Sequence, residues 1–149
     1  MNSDFKDMLR LFAEFEVRYL LVGGYAVMHY AQPRFTKDID LWLEPSPENA
    51  QKIGKVFEKF GIPLIDASLE DFEKEGFQYM VGRSPVLFDF LTSLPNLDFQ
   101  KCWDSRELDD AEGFPVAYLS KTDLIYAKKQ ADRPQDRIDL EEIERAGEG

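Results

Sequence analysis

Asp38 and Asp40 are separated by one apolar residue inside the run Lys37-Asp38-Ile39-Asp40-Leu41-Trp42-Leu43. In an extended strand that spacing puts both carboxylates on one face and Ile39 on the other, roughly 6.5–7 Å apart at the backbone. Both side chains then reach a single divalent ion. Two neighbouring carboxylates repel each other unless a cation joins them. The chemistry that follows is metal-assisted phosphoryl or nucleotidyl transfer.

A third carboxylate extends the pattern. Asp89 is the sole polar residue of Val86-Leu87-Phe88-Asp89-Phe90-Leu91. A charge at the centre of such a strand costs free energy unless it is paired or ligates a metal. If this strand lies beside Asp38-Ile39-Asp40, three carboxylates converge. Asp38 and Asp40 would then bind the ion that bridges a triphosphate. Asp40 and Asp89 would hold a second ion or act as base on the incoming hydroxyl. Magnesium is the expected metal, because its usual ligands are hard oxygens and substrate phosphates. Gly23-Gly24 precedes this set. Glycines between a strand and a helix let the backbone approach a ligand closely, and the amides of the helix start can cradle phosphate. Arg34, Thr36 and Lys37 add donors just upstream of the aspartates.

The elements that must position these residues follow from periodicity and breakers. Ser3 caps a first helix to about Glu16, with Phe5, Met8, Leu9, Phe12 and Phe15 at helical spacing. Val17 to Val22 reads as a strand, Tyr25 to Ala31 as a short helix, and Lys37 to Glu44 as the second strand. Ser46 and Pro47 start a helix that Gly61 ends. Ile62 to Ile65 is expected to form a short strand, and Ser68 to Glu75 an acidic helical turn. Phe77 to Val81 and Pro85 to Leu91 form a hairpin through Gly82-Arg83-Ser84. Asn96 to Leu108 fits no single pattern. Pro115 to Leu119 is a strand. Ser120-Lys121-Thr122-Asp123 has the form of a capping box and opens a helix to about Ala131. A last helix runs from Pro134 to about Ala146. Strands and helices mix without strict alternation, so the fold class expected is α+β with a mixed sheet.

A chain of 149 residues, 44% of them apolar and 12 of them phenylalanine, suits one domain over 1–149 with one core. No run of about 18 uncharged apolar residues appears, so no membrane span is expected. The N-terminal residues lack the basic and apolar regions of a signal peptide. The single cysteine, Cys102, fits a reducing cytoplasm. The formal net charge is −11, from 29 acidic and 18 basic side chains. Such a chain repels polyanions at long range, which argues against non-specific binding to duplex DNA. It tolerates a small nucleotide that arrives with its metal ion.

Taken together, Gly23-Gly24, Asp38-Ile39-Asp40 and Asp89 resemble the nucleotidyltransferase superfamily with the polymerase-β-type catalytic fold. Gly-Gly-Tyr-Ala followed by Arg-Phe-Thr-Lys-Asp-Ile-Asp-Leu is most similar to small prokaryotic stand-alone members, the AbiEii-like and MenT-like proteins of toxin–antitoxin systems. Lys128, Arg133, Asp136 and Asp139 match a pattern that follows the catalytic core in those groups. The resemblance covers roughly residues 18–43, 85–91 and 120–141. It implies a minimal nucleotidyltransferase fold with two C-terminal helices and an NTP substrate. It assigns catalysis and metal binding to Asp38, Asp40 and Asp89, and nucleotide binding to Gly23, Gly24 and Lys128. Larger members carry a further acceptor-binding domain. Its lack here points to a homodimer or a cognate toxin or antitoxin partner completing the site.

The function expected is transfer of a nucleoside monophosphate from an NTP to a hydroxyl of tRNA or protein. The alternatives are a nucleotide- or partner-binding module of antitoxin type, and a transferase acting on a small molecule such as an antibiotic. Arg133, Asp136 and Asp139 read more simply as an ion-pair network between helices. His29 reads as an ordinary packed or surface residue, Cys102 as a buried small residue, and Trp42 and Trp103 as core or cleft wall, and no His/Cys set suggests zinc. The run Glu70-Asp71, Glu73 and Glu75 reads as a solvated helix face.

Overall fold

The computed structural model describes residues 1–148. A six-stranded mixed sheet forms its centre, in the order β3-β4-β2-β1-β6-β5. The strands are β1 (Tyr19–Val22), β2 (Asp38–Leu43), β3 (Gln78–Arg83), β4 (Val86–Leu91), β5 (Glu107–Asp109) and β6 (Val116–Tyr118). The helices are α1 (Ser3–Glu14), α2 (Gly23–Tyr30), α3 (Pro47–Phe60), α4 (Phe99–Asp104), α5 (Lys121–Ala131) and α6 (Pro134–Glu148), with a 3-10 turn at Leu69–Glu73. The α+β class expected from the sequence is the one found. Among the described residues, no helix is long and apolar enough to cross a membrane.

The two faces of the sheet follow from the alternation along β2. Ile39, Leu41 and Leu43 point to one side and are fully buried there. Phe88 and Phe90 of β4 join them, and α1 and α3 cover this side. Phe5 of α1 meets Phe88 at 5.2 Å between ring centroids, and Phe57 of α3 meets Phe90 at 4.9 Å. The opposite side carries Asp38, Asp40 and Trp42. Trp42 is covered by Phe99 of α4, edge to face at 5.2 Å. The end that bears the two aspartates faces an open cleft.

Local signals place most element ends. Ser46 accepts a hydrogen bond from the Asn49 amide, and Gly61 closes α3 with a left-handed φ of +95°. At the N-terminus the cap is Asn2 and not Ser3: its side chain accepts from the Phe5 amide at 2.9 Å. Ile62 to Ile65 does not become a strand. Pro63 has no N–H to give a ladder, and the Tyr79 hydroxyl bonds both the Pro63 carbonyl and the Ile65 amide. The reciprocal capping box forms at Ser68 and Asp71. At α5 only half of one forms. Ser120 accepts from the Asp123 amide, while the Asp123 carboxylate accepts from Ser105 Oγ. The segment with no single pattern resolves into α4 and β5.

Candidate active site

Two strands distant in sequence bring the carboxylates together. β2 and β4 pair in parallel with Asp40 opposite Asp89 and Asp38 opposite Leu87. Residues directly opposite share a face, so Asp38, Asp40 and Asp89 all point into the cleft. One oxygen from each lies within 4.8 Å of the others. Asp89 is 8% exposed. Burial, then the charges of Asp38 and Asp89 and a hydrogen bond shared with Asp89, push Asp40 up to about 8, against an opposing pull from Lys128. Three carboxylates this close, one of them driven to hold its proton, form an oxygen-only donor set. It suits a hard divalent ion such as Mg²⁺.

Gly23 and Gly24 sit where β1 turns into α2, beside the triad because Val22 pairs with Asp40. Gly23 has φ +65°, and a Cβ there would collide with the Asp40 carboxylate. A Cβ on Gly24 would come 2.7 Å from Thr36 Oγ1 and 3.0 Å from an Arg34 Nη. Both glycines are thus required by close approach of the β1–α2 turn to the residues around Asp38. Thr36 donates to the Asp38 carbonyl at 3.3 Å.

The cleft has a volume of about 710 Å³. Gly23, Gly24, Arg34, Thr36, the three aspartates, Lys128, Arg133 and Asp136 line its polar side. Leu91, Leu94, Pro95, Leu119, Leu124, Ala127 and Ala131 form an apolar wall. Lys37 is exposed and lies outside this lining.

Lys128 is neither solvent-facing nor free. It is 7% exposed, and its Nζ lies 3.0 Å from both Asp136 and Asp139, which are themselves buried. Arg133 binds Asp136 through Nε and Nη2, and Arg34 Nη1 pairs with Asp139 at 3.0 Å. The expected network of Arg133, Asp136 and Asp139 therefore exists, but Lys128 is its hub and Arg34 ties it to the loop before β2. Burial alone would raise Asp136, yet the hydrogen bonds from Arg133 and Lys128 outweigh it and bring it down to about 2. Arg34 Nε is buried without a partner.

Two features had little or no signal in the sequence. The apolar wall draws on α5 at Leu124, Ala127 and Ala131, whose helical spacing was readable once α5 was placed. Gln78 donates to the Asp89 carboxylate from the neighbouring strand, and nothing in its local sequence marks it.

No family model matches the sequence, and no curated protein matches it significantly. Solved structures do match. The lincosamide antibiotic adenylyltransferase LnuA, in its lincomycin-bound form, aligns at a TM-score of 0.59 and 16% identity, over 97% of this chain and 96% of that one. The antibiotic-resistance factor ANT(2'')-Ia aligns at 0.57 and 16% identity, over 97% of this chain and 80% of that one. What the chain shares with these structures is its fold, a mixed sheet flanked by helices in the arrangement of a minimal nucleotidyltransferase.

Proposed function

We propose that the chain is a metal-dependent nucleotidyltransferase. It would move a nucleoside monophosphate from an NTP to an acceptor hydroxyl and release pyrophosphate. The observation that carries this reading is the convergence of Asp38, Asp40 and Asp89 across the β2–β4 pairing, next to the glycine turn and inside one cleft. Bound magnesium, one ion or two, would neutralise charge on the phosphates and on the attacking oxygen.

The chain's own residues supply position and charge. Asp38 and Asp40 would hold the metal that accompanies the triphosphate, and Asp89 would help to hold an ion or accept the proton of the acceptor hydroxyl. Gly23 and Gly24 admit the phosphates to the α2 amides, which carry partial positive charge. Arg34, Thr36 and Lys128 add donors on the same side. Lys37, outside the lining, would act at most from the rim. The apolar wall shields the reacting groups from water and packs against base and ribose. Catalysis of this kind is positioning plus electrostatic stabilisation.

For the acceptor, the solved neighbours favour a small molecule. LnuA was solved with lincomycin, and this chain spans nearly its whole length. The motif resemblance to toxin–antitoxin proteins keeps tRNA and protein as competing outcomes.

Radiolabelled NTP with Mg²⁺, offered to lincosamides, aminoglycosides, total tRNA and total protein, separates these readings. Labelled antibiotic with pyrophosphate release is the expected result, and loss of both in Asp38→Ala and Asp40→Ala supports the site. Wild-type rates in the double variant would end the proposal. Tight NTP binding with no pyrophosphate on any acceptor would mark a binding module instead.

A further inference from the structure

Asp89 has a neighbour that the transfer reading does not use. Gln78 stands on β3, the outermost strand, and its amide Nε2 lies 2.9 Å from Oδ1 and 3.0 Å from Oδ2 of Asp89. The nitrogen must be the atom presented, because the amide oxygen would face two negative oxygens. One donor almost equidistant from both oxygens occupies the open end of the carboxylate. That is the position a cation takes when a carboxylate binds it with both oxygens. The lone pairs left to Asp89 are outside this bite. Among the described residues, no side-chain donor holds the carboxylates of Asp38 or Asp40 in this way.

Calcium and magnesium differ in this respect. Calcium accepts six to eight oxygens at about 2.3–2.6 Å and often takes a carboxylate through both. Magnesium requires near-octahedral geometry at about 2.0–2.1 Å and takes one oxygen from each carboxylate. Gln78 is also neutral, so Asp89 keeps its full charge as a ligand. A lysine or arginine in its place would neutralise that charge.

We propose that Gln78 is a positioning residue that limits Asp89 to one-oxygen coordination and so makes the triad select Mg²⁺ over Ca²⁺. The inference rests on the triad being the metal site of the proposed function.

Gln78 is exposed at the sheet edge, so its replacement leaves the core intact and permits a clean test. The full chain and its Gln78→Ala and Gln78→Leu variants are titrated calorimetrically with MgCl₂ and with CaCl₂. Each titration is run alone and with an NTP analogue whose α,β-bridge resists cleavage. Residues that hydrogen-bond a metal-binding side chain commonly alter metal affinity by about ten- to a hundredfold. The expected result is that the ratio of the Ca²⁺ to the Mg²⁺ Kd falls about tenfold in both variants. A merely structural role would weaken both ions in proportion. An unchanged ratio with both ions still bound overturns the role of Gln78 and leaves the metal site standing. Absence of binding by either ion to the unmodified chain in both arms, at millimolar concentration, overturns the metal reading and this inference together.

Discussion

Replacing Asp40 by Asn should favour the metal-free protein more at neutral pH than in mild acid. The folded chain holds Asp40 at about 8, against 3.8 for the free side chain, chiefly through burial and the charges of Asp38 and Asp89. Between those values the folded state keeps a proton that the unfolded state has released. The unfolded state then binds fewer protons, so stability falls as pH rises through that window. Each pH unit costs at most about 1.4 kcal/mol. From pH 5 to pH 7 the loss is at most about 2.7 kcal/mol, and relaxation of the site lowers it to about 1–2 kcal/mol. Asn keeps the shape and does not titrate. Urea unfolding at pH 5, 6 and 7 in EDTA measures the difference. The variant's margin over the parent should grow by about 1–2 kcal/mol between pH 5 and pH 7. Adding Mg²⁺ at ten times its Kd should return about 1.4 kcal/mol to the parent and nothing to the variant. If Asp40→Asn without metal loses stability with pH as steeply as the parent, the electrostatic account of the triad is wrong.

Other consequences are open to direct measurement. Lys128→Ala removes the cation shared by buried Asp136 and Asp139, leaving them Arg133, Arg34 and Gln135, and should cost about 3 kcal/mol in urea unfolding. Gly23→Ala forces a side chain into a left-handed backbone and against Asp40. It should cost at least about 1–2 kcal/mol and abolish the Mg²⁺-dependent rise in Tm. Cys102 is buried, and burial together with Asp123 pushes its thiol up to about 12. It should resist a thiol reagent at pH 8 in the folded chain and react at once in denaturant.

Much of the fold was legible because its signals are local. Ser46, Pro47 and Gly61 mark both ends of α3, and the alternation of Asp38-Ile39-Asp40 assigned the faces of β2 before any pairing was known. The strand assigned to Ile62–Ile65 failed because a distant hydroxyl, that of Tyr79, satisfied its backbone. The triad was legible because a lone aspartate in an apolar strand demands an explanation. The surroundings of Lys128 were not. Its burial depends on α5 packing against α6, and its link to Arg34 spans a contact between segments far apart in the chain. Gln78 illustrates the same limit, since its contact exists only through the β3–β4 register.

The parallel pairing of β2 with β4 has a consequence for how the site comes into being. A hairpin could not make it, because parallel strands require a crossover. Asp40 and Asp89 meet only after a loop of about fifty residues, containing α3 and β3, has closed. Long-range contacts of this kind add to the time a chain needs to fold. A nascent chain that stops before β4 carries only half of the chelating set, so competence to hold the ion arrives with one of the most non-local pairings in the molecule. Cleaving the backbone in the exposed stretch around Asp66 would divide the carboxylates between two fragments. Recovery of metal binding on mixing them would then serve as a readout of strand docking.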